Sequence, residues 1–404
     1  MRYGTKQRLT ALVLTALLAF GTAQAQEPVS ERDDFYLAVN GPTLAEKKIE
    51  PTEPSWSWFK EQSLKNTKIL EQELHEIAAK EGSYAKGTPE QKIADLYRCA
   101  VDMERRDATA RQHLQDVLAP VRQAGTTDEL TQALLQVRES SGASVFVDYT
   151  ADRMPDSLRY ATRIVPAETI LSKYELEKEP QPGAWQAYKK YIADVLAEAG
   201  SPPEEAARQA EAIFDLEQSW APVMLSSEER NDFAVLNTMY TRNEIEAFMP
   251  HMDGRRLLSS WKLTKEKKLF LADAAYLQKL DEAYVQDNLP LLKSYAVFRI
   301  MDGFAPYADR RLRDLQRAYT QYRFGITKSR SDEETASRMV QGLLPYEFGQ
   351  IYMKDHCSPD AVRDVTAMID EIRGVYRERL LKNDWLGEDT KKEAVGKLDA
   401  LRVF

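Results

Sequence analysis

The chain has 404 residues and a formal net charge of −9 at pH 7, with 43% hydrophobic and 29% charged residues. These proportions are ordinary for a folded globular protein, and a chain of this length can bury an extensive core and form two domains. The acidic balance argues against nucleic acid or an anionic membrane surface as a partner. Two cysteines, Cys99 and Cys357, are too few for a disulfide framework.

Residues 1–25 have the organisation of a signal peptide. Basic residues stand among positions 2–8, and the apolar run Leu9–Phe20 that follows is too short to span a bilayer comfortably. Ala23-Gln24-Ala25 supplies the small residues of a cleavage site, so we expect an exported protein, periplasmic or extracellular, that begins at Gln26. An uncleaved membrane anchor is the alternative. No later run of 18 apolar residues predicts a membrane span.

Helix signals recur along most of the remaining chain and predict a mainly α fold. A Ser or Thr three residues before a Glu or Gln is a capping box, and it marks four helix starts: Thr88 with Gln91, Thr126 with Glu129, Ser201 with Glu204, and Thr241 with Glu244. Long amphipathic runs predict helices over Phe59–Ala79, Glu204–Trp220, Tyr284–Phe304 and Val362–Leu381.

Short β segments interrupt the helical pattern. Ala143–Tyr149 and Tyr160–Val165 are rich in β-branched and aromatic residues, and Pro155-Asp156 between them favours a turn. We expect a small β-hairpin on the side of a helical body. Lys268–Ala272 could form an isolated strand, and Glu177–Gly183 has the Pro and Gly content of a loop.

The histidines offer little support for a metal site. A zinc peptidase helix needs two histidines four residues apart, with a Glu beside the first, so that both rings reach one metal ion. Only His75-Glu76 begins this pattern among the four histidines, His75, His113, His251 and His356, and position 79 is Ala. We therefore expect His75 to lie on a solvated helix face.

Other candidate groups have structural explanations as well. His356 beside Cys357 is typical of a surface turn rather than a thiol site. The acidic pairs Glu204-Glu205 and Glu333-Glu334 lie in charge-rich helical stretches, and Arg310–Arg317 has the spacing of a salt-bridged surface helix. The residues alone therefore assign no catalytic, metal-binding or substrate-binding residue.

The cysteines are expected to remain unpaired. Cys99 follows Ile93 and Leu96 on an amphipathic helix, and we expect a small buried thiol there. Cys357 lies in the polar segment His356–Pro359 and should be the more accessible of the two.

A series of ordered blocks resembles the neprilysin and endothelin-converting-enzyme family of zinc metalloendopeptidases. The blocks are D-F-Y-x-x-V-N-G at Asp34–Gly41, Ile49–Pro51 followed by Ser57–Phe59, Leu96–Cys99, Leu216-Glu217 with Arg230–Asp232, Asn237 before Thr241–Ile245, Glu347–Tyr352, and the segment Asn383–Leu398. Their order along the chain is far more specific than any single block.

This resemblance implies two helical lobes around an internal cavity. Residues 26–55 would be an extended N-terminal segment, and residues 56–262 a helical cap lobe that admits only peptides. Residues 263–404 would be an incomplete, N-terminal part of the catalytic lobe. By family order the H-E-x-x-H helix and the later Glu ligand lie beyond Phe404, so zinc is expected only in the complete family enzyme.

The chain also departs from the family pattern. Thr43 stands where the family usually has Trp, and the Cys expected near Ala336 as a partner for Cys99 is missing, so that disulfide is expected to be absent. Residues Ser55–Ser63 do not reproduce charged residues that some members place near the substrate. No catalytic residue can be transferred to this chain.

The resulting hypothesis is the N-terminal part of an exported zinc metalloendopeptidase, truncated or completed by a separately encoded catalytic half. Alone, it should bind no zinc and cleave no peptide. The alternative is a catalytically inactive helical peptide-binding module. If the chain is part of a larger enzyme, the helix predicted after Asp389 should expose Ala394, Leu398 and Leu401, which the complete enzyme would cover.

Overall fold

The computed structural model describes residues 29–154 and 159–402. The predicted signal peptide and the Pro155-Asp156 turn lie outside these residues. The chain divides into two compact units, residues 1–60 and 61–404. In the described part of the first unit, helix α1 (Phe35–Glu46) begins at Asp34, whose carboxylate accepts a hydrogen bond from the backbone N–H of Leu37 at 2.9 Å.

The helices after α1 confirm the mainly α prediction. They are α2 (Trp58–Ala79), α3 (Pro89–Val101), α4 (Met103–Gln123), α5 (Thr127–Ser141), α6 (Lys173–Glu177), α7 (Ala184–Glu198), α8 (Pro203–Trp220), α9 (Phe233–Leu236), α10 (Arg242–Ala247), α11 (Gly254–Ser260), α12 (Ala274–Ala283), α13 (Leu289–Phe304), α14 (Arg310–Phe324), α15 (Asp332–Leu343), α16 (Pro345–His356), α17 (Pro359–Lys382) and α18 (Glu388–Asp399). The predicted long helices correspond to α2, α8, α13 and α17. The start of α13 is five residues later than predicted, because Gln286–Asn288 forms a 3₁₀ turn.

Three of the four predicted helix starts are confirmed. The side chains of Thr88, Thr126 and Thr241 accept hydrogen bonds from the backbone N–H three residues later. The prediction of a helix start at Ser201 is wrong. Helix α8 begins at Pro203, and its N-cap residue is Pro202, so no side chain accepts a capping hydrogen bond there. The backbone N–H of Ser201 instead donates to Leu196 O at 3.0 Å, so this residue belongs to the end of α7.

The β segments form a sheet of four strands in the described part of the chain. The predicted hairpin is present, with β1 (Val147–Arg153) antiparallel to β2 (Tyr160–Pro166). The predicted bounds Ala143–Tyr149 are wrong for β1, which begins and ends four residues later. Strand β4 (Lys268–Phe270) is parallel to β2, and β3 (Met239–Thr241) is antiparallel to β4, giving the order β1-β2-β4-β3. The expectation of an isolated strand near Lys268 is therefore wrong, because this strand pairs on both sides.

Hydrophobic side chains of the described residues gather in two cores. The larger core draws on α4 to α8, α10 to α14 and the sheet, and includes Trp220, Tyr188 and Phe298. The smaller core joins α2 and α3 to α15 and α16 through residues such as Ile93 and Phe348. Residues on both sides of position 262 contribute to each core, and the proposed lobe boundary at that position stays a prediction.

Candidate functional site

His75 lies on α2 and is exposed, as predicted, but it contacts another element. Its Nε2 is 3.3 Å from Oε1 of Glu333 on α15. The hydroxyl group of Tyr97 on α3 donates to the same carboxylate oxygen at 3.4 Å. Burial, and then the negative charge of Glu333, raise the pKa of Tyr97 to about 12. His75 therefore belongs to a polar contact at the edge of the smaller core.

His356 makes a second contact of this kind. Its Nε2 lies 2.8 Å from Oε1 of Glu73, which is also on α2. The prediction of a surface turn at this position is wrong, because His356 is the last residue of α16 and Cys357 follows as the helix cap. Two histidine–carboxylate contacts thus connect α2 to α15 and α16 beside the smaller core.

His251 is held by a buried carboxylate. Asp281 is 2% exposed and accepts hydrogen bonds from the backbone N–H groups of His251 at 3.0 Å and Met252 at 2.8 Å. The Nδ1 atom of His251 is 2.8 Å from the other oxygen of Asp281. These contacts fix the loop before α11. His113 lies exposed on α4.

These arrangements do not fit zinc. Zinc sites in proteins use at least three side-chain ligands at about 2.0–2.3 Å. Within residues 29–154 and 159–402 there is no group of three or more His, Cys, Asp or Glu residues that could hold a metal ion. Each of the two contacts on α2 consists of one histidine and one carboxylate, which is fewer than the three ligands that zinc requires.

The cysteines are both free, which confirms the prediction that they are unpaired. Their predicted accessibility is wrong. Cys99 is exposed and Cys357 is half-buried. An α-helix turns by about 100° per residue, so Cys99 points about 200° away from buried Tyr97. Its neighbour Ala100 is buried and Cys99 is not.

The charged pairs have structural partners, as the sequence indicates. Glu334 completes the capping box of α15 with Ser331. Within Arg310–Arg317 on α14, Arg310 pairs with Asp107 at 3.3 Å, as expected for a salt-bridged helix. Arg313 differs from the expectation, because it is only 5% exposed and pairs with Asp332 at 2.9 Å.

One buried carboxyl group was not predicted from the sequence as a candidate functional group. Glu217 on α8 is fully buried and accepts a hydrogen bond from the hydroxyl group of Tyr188 at 2.9 Å. Burial raises the pKa of Glu217 to about 7, although the nearby charge of Arg299 opposes the increase. The available signal was its position between Ile213 and Trp220 on the apolar side of a predicted helix.

The last two helices leave an apolar surface uncovered. Neither α17 nor α18, both within the described residues, contains a buried residue. We define the α17 face as the exposed apolar residues that recur every three or four positions: Val362, Val365, Met368, Ile372 and Tyr376. At the end of the chain, Leu401 beyond α18 is 57% exposed, as predicted, whereas Ala394 and Leu398 on α18 are half-buried.

None of the helices in the described parts of the chain combines the length and the apolar character needed to cross a membrane.

The comparisons with known proteins agree with this architecture. The neutral endopeptidase of Lactococcus lactis is 24% identical over 383 residues, covering 92% of this chain and 60% of the relative. Neprilysin-1 of Caenorhabditis elegans is 21% identical over 341 residues, covering 76% of this chain and 45% of that protein. The chain thus spans about 60%, or less, of the length of these relatives.

Solved structures share the fold. The Mycobacterium tuberculosis zinc metalloprotease Zmp1, in complex with an inhibitor, superposes with a TM-score of 0.80 at 21% identity, over 94% of this chain and 58% of the other. The model of peptidase family M13 matches residues 32–404, and this match confirms the resemblance to neprilysin. The chain belongs to peptidase family M13.

Proposed function

We propose that this chain forms the N-terminal, helical part of an exported zinc metalloendopeptidase that acts on peptides. The observation that carries the proposal is the family match across residues 32–404, together with a span of about 60% of the bacterial relatives. The described residues offer no group that could hold a metal ion. The zinc ligands and the general base would come from a polypeptide segment outside these 404 residues.

The α17 face supports the proposal that a further polypeptide segment packs against this chain. Exposed apolar side chains that recur on one side of a helix are typical of a surface that another element covers. Met368 and Ile372, near the middle of α17, are 54% and 55% exposed. In this proposal the zinc-binding segment packs on that face, while residues 56–262 form the cap that limits access to peptides.

A first experiment reads the sequence encoded directly after Phe404, in the same or a shifted frame. We expect an H-E-x-x-H helix there. Absence of this motif from every frame would overturn the proposal in favour of an inactive peptide-binding module. Such a module should bind peptides from a defined mixture and release them uncleaved.

A second experiment measures zinc and proteolysis. The purified chain from Gln26 onward should hold no stoichiometric zinc and leave a defined peptide mixture intact. Together with the downstream segment, it should hold about one zinc ion per complex and cleave peptides. Ile372→Ser should weaken that complex, whereas Arg363→Ser on the opposite side of α17 should not. One tightly held zinc in the chain alone, with chelator-sensitive cleavage, would contradict the proposal.

Export is tested separately with residues 1–25. Fused to alkaline phosphatase, which is active only where disulfides form, this segment should direct activity outside the bacterial cytoplasm. Replacing the apolar run Leu9–Phe20 with polar residues should abolish that activity. A reporter that stays inactive with the native segment would show that it is not an export signal.

A further inference from the structure

A lysine-rich segment, residues 262–268, runs from the end of α11 into β4, and we call it the basic loop. Four of its seven residues are lysines and one is Glu266, so its formal charge is +3, whereas the whole chain carries −9. The lysines, which are all exposed, are Lys262, Lys265, Lys267 and Lys268. The basic loop is therefore a local positive surface on an acidic protein.

Contacts with Arg242 on α10 hold the basic loop in a compact shape. A guanidinium nitrogen of Arg242 donates to Leu263 O at 3.2 Å, and the backbone N–H of the same residue donates to Lys267 O, also at 3.2 Å. Both ends of the loop thus lie beside one residue. The backbone positions of the four lysines are close together, and their long, flexible side chains can reach one common surface that lies against the loop.

The lysines of the basic loop have no acidic partners. Within residues 29–154 and 159–402, none of their ammonium groups forms an ion pair or a hydrogen bond. Glu246 on the neighbouring α10 contacts Arg242 at 2.6 Å and Arg255 at 3.5 Å instead. Like charges on one loop repel each other. Contacts within the fold therefore do not explain why the lysines are gathered here.

Lys262 adopts a backbone conformation that favours glycine. Its φ is +60°, and the N–H of Leu263 donates to Leu258 O at 2.9 Å, in the hydrogen-bond pattern of a Schellman helix end. At the ends of α5 and α14 the residues with positive φ are Gly142 and Gly325. A side chain in this conformation destabilises the folded chain relative to glycine. A lysine at position 262 is therefore unfavourable for folding, which indicates another role.

We propose that the basic loop docks this chain on an anionic lipid bilayer. Lysine ammonium groups are hydrated point charges, which suit many mobile phosphate headgroups better than one fixed carboxylate. Leu263, the one apolar residue of the loop, is buried, so the contact would be electrostatic. The acidic net charge argues against such a partner for the molecule as a whole, but in 0.1 M salt charges more than about 10 Å away are largely screened.

The docking is tested with the chain from Gln26 onward and lipid vesicles in 0.1 M salt. Vesicles that contain phosphatidylglycerol should bind the chain, and vesicles of phosphatidylcholine alone should not. Binding should weaken as the salt concentration rises, because attraction between exposed charges is screened. Equal binding to both kinds of vesicle would assign the contact to an apolar surface such as the α17 face and would overturn the proposal.

Lysine variants locate the contact. Each lysine near an anionic bilayer changes the affinity roughly fivefold, so the loss of three should weaken binding at least about 20-fold. The basic-loop variant combines Lys265→Gln, Lys267→Gln and Lys268→Gln. The control variant, which has the same net charge, replaces three exposed and unpaired lysines elsewhere: Lys80→Gln, Lys86→Gln and Lys178→Gln. Equal weakening in both variants, or none in the basic-loop variant, would contradict the proposal.

Lys262→Gly separates docking from folding. Glycine suits the positive φ at this position, so the melting temperature should not fall, whereas binding to the anionic vesicles should weaken roughly fivefold. Affinity equal to that of the native chain would show that the unfavourable lysine does not serve docking.

Soluble polyglutamate tests the other kind of anionic partner. At equal ionic strength, neither polyglutamate nor inorganic phosphate should release the chain from the anionic vesicles. Release by polyglutamate would assign the basic loop to an acidic polypeptide and would overturn the proposal of a lipid surface. Release by inorganic phosphate would overturn it in favour of a small anion.

Discussion

The carboxyl group of Glu217 shows how burial controls ionisation within the larger core. An exposed Glu has a pKa near 4.3. Inside the protein the pKa rises to about 7, since burial disfavours the charged form more than Arg299 and Tyr188 stabilise it. Between these values the folded state binds more protons than the unfolded state. Stability from this group is therefore fully present below about pH 4 and is lost as the pH rises through 7.

The first prediction concerns Glu217→Gln. Its amide keeps an acceptor for the hydroxyl group of Tyr188 but cannot ionise, so the contribution of roughly 3 kcal/mol lost by the native chain between pH 4.5 and 7 should disappear. Urea unfolding at pH 5 and pH 8 measures it. The difference between the two pH values should be smaller in this variant than in the native chain and in Glu204→Gln, an exposed position of α8. Equal pH dependence in all three proteins would contradict a raised pKa.

The second prediction concerns the thiols. Cys99 is exposed and Cys357 is half-buried, so Cys99 should react faster with a thiol reagent in the folded chain. Rates measured for Cys99→Ser and Cys357→Ser separate the two sites. The sequence alone predicts the reverse order, because Cys99 is next to residues of the apolar side of α3. Faster modification of Cys357 would contradict the exposure of the two thiols in the structure.

For the secondary-structure elements, the helix starts at Thr241 and near Ser201 show when a local sequence signal is enough to predict a helix start. Thr241 and Glu244 form both hydrogen bonds of a capping box, with Thr241 N donating to the Glu244 carboxylate at 2.7 Å. Ser201 has the same spacing to Glu204 but no such bonds. The preceding Gly200 has φ of +106°, a conformation that suits glycine and helps to end α7. The spacing alone could not reveal that Ser201 belongs to the preceding helix.

The third prediction compares these two starts. Thr241→Ala should reduce the free energy of unfolding by about 1 kcal/mol, because a backbone N–H at the start of α10 loses its acceptor. Ser201→Ala should change it by less than about 0.5 kcal/mol, since no cap is lost. Thermal or urea unfolding of both variants decides it. A larger cost at Ser201 than at Thr241 would contradict the observed helix bounds.

The sheet shows where local signals fail. The hairpin was recognisable because β-branched and aromatic residues lie within β2 and at the start of β1 and just before it, but these residues did not show where β1 ends. Strand β3 has only three residues, and its partner β4 lies almost 30 positions further along the chain. A strand as short as β3 forms only where tertiary contacts bring it beside its partner, and the alternation of apolar and polar residues does not reveal such contacts. The sequence therefore predicted β4 without its partners and missed β3.

At the scale of the whole molecule, the sequence predicted the family and the helical class but not how distant residues meet. The contact between Glu73 and His356 joins residues 283 positions apart. Similarly, the smaller core combines helices from near both ends of the second unit. No spacing rule connects such residues, so the histidines could be judged only one at a time. The blocks that resemble the family predicted the right fold class, because their order depends on most of the chain rather than on one local pattern.

The α17 face carries the last prediction. Full burial of a Val, Ile or Met side chain is worth roughly 1.5–3 kcal/mol, and the residues of this face remain about half exposed. Without a complement, the purified chain should bury the face against a second copy and associate at micromolar concentrations. Ile372→Ser should shift sedimentation toward the monomer, whereas Arg363→Ser, on the other side of α17, should not.

The Ile372→Ser variant should also remain folded. Because α17 has no buried residue, this change should lower the free energy of unfolding by less than the 2–5 kcal/mol typical of a truncated core residue. A strictly monomeric native chain that binds no hydrophobic dye would show instead that this face is stable in water without a partner.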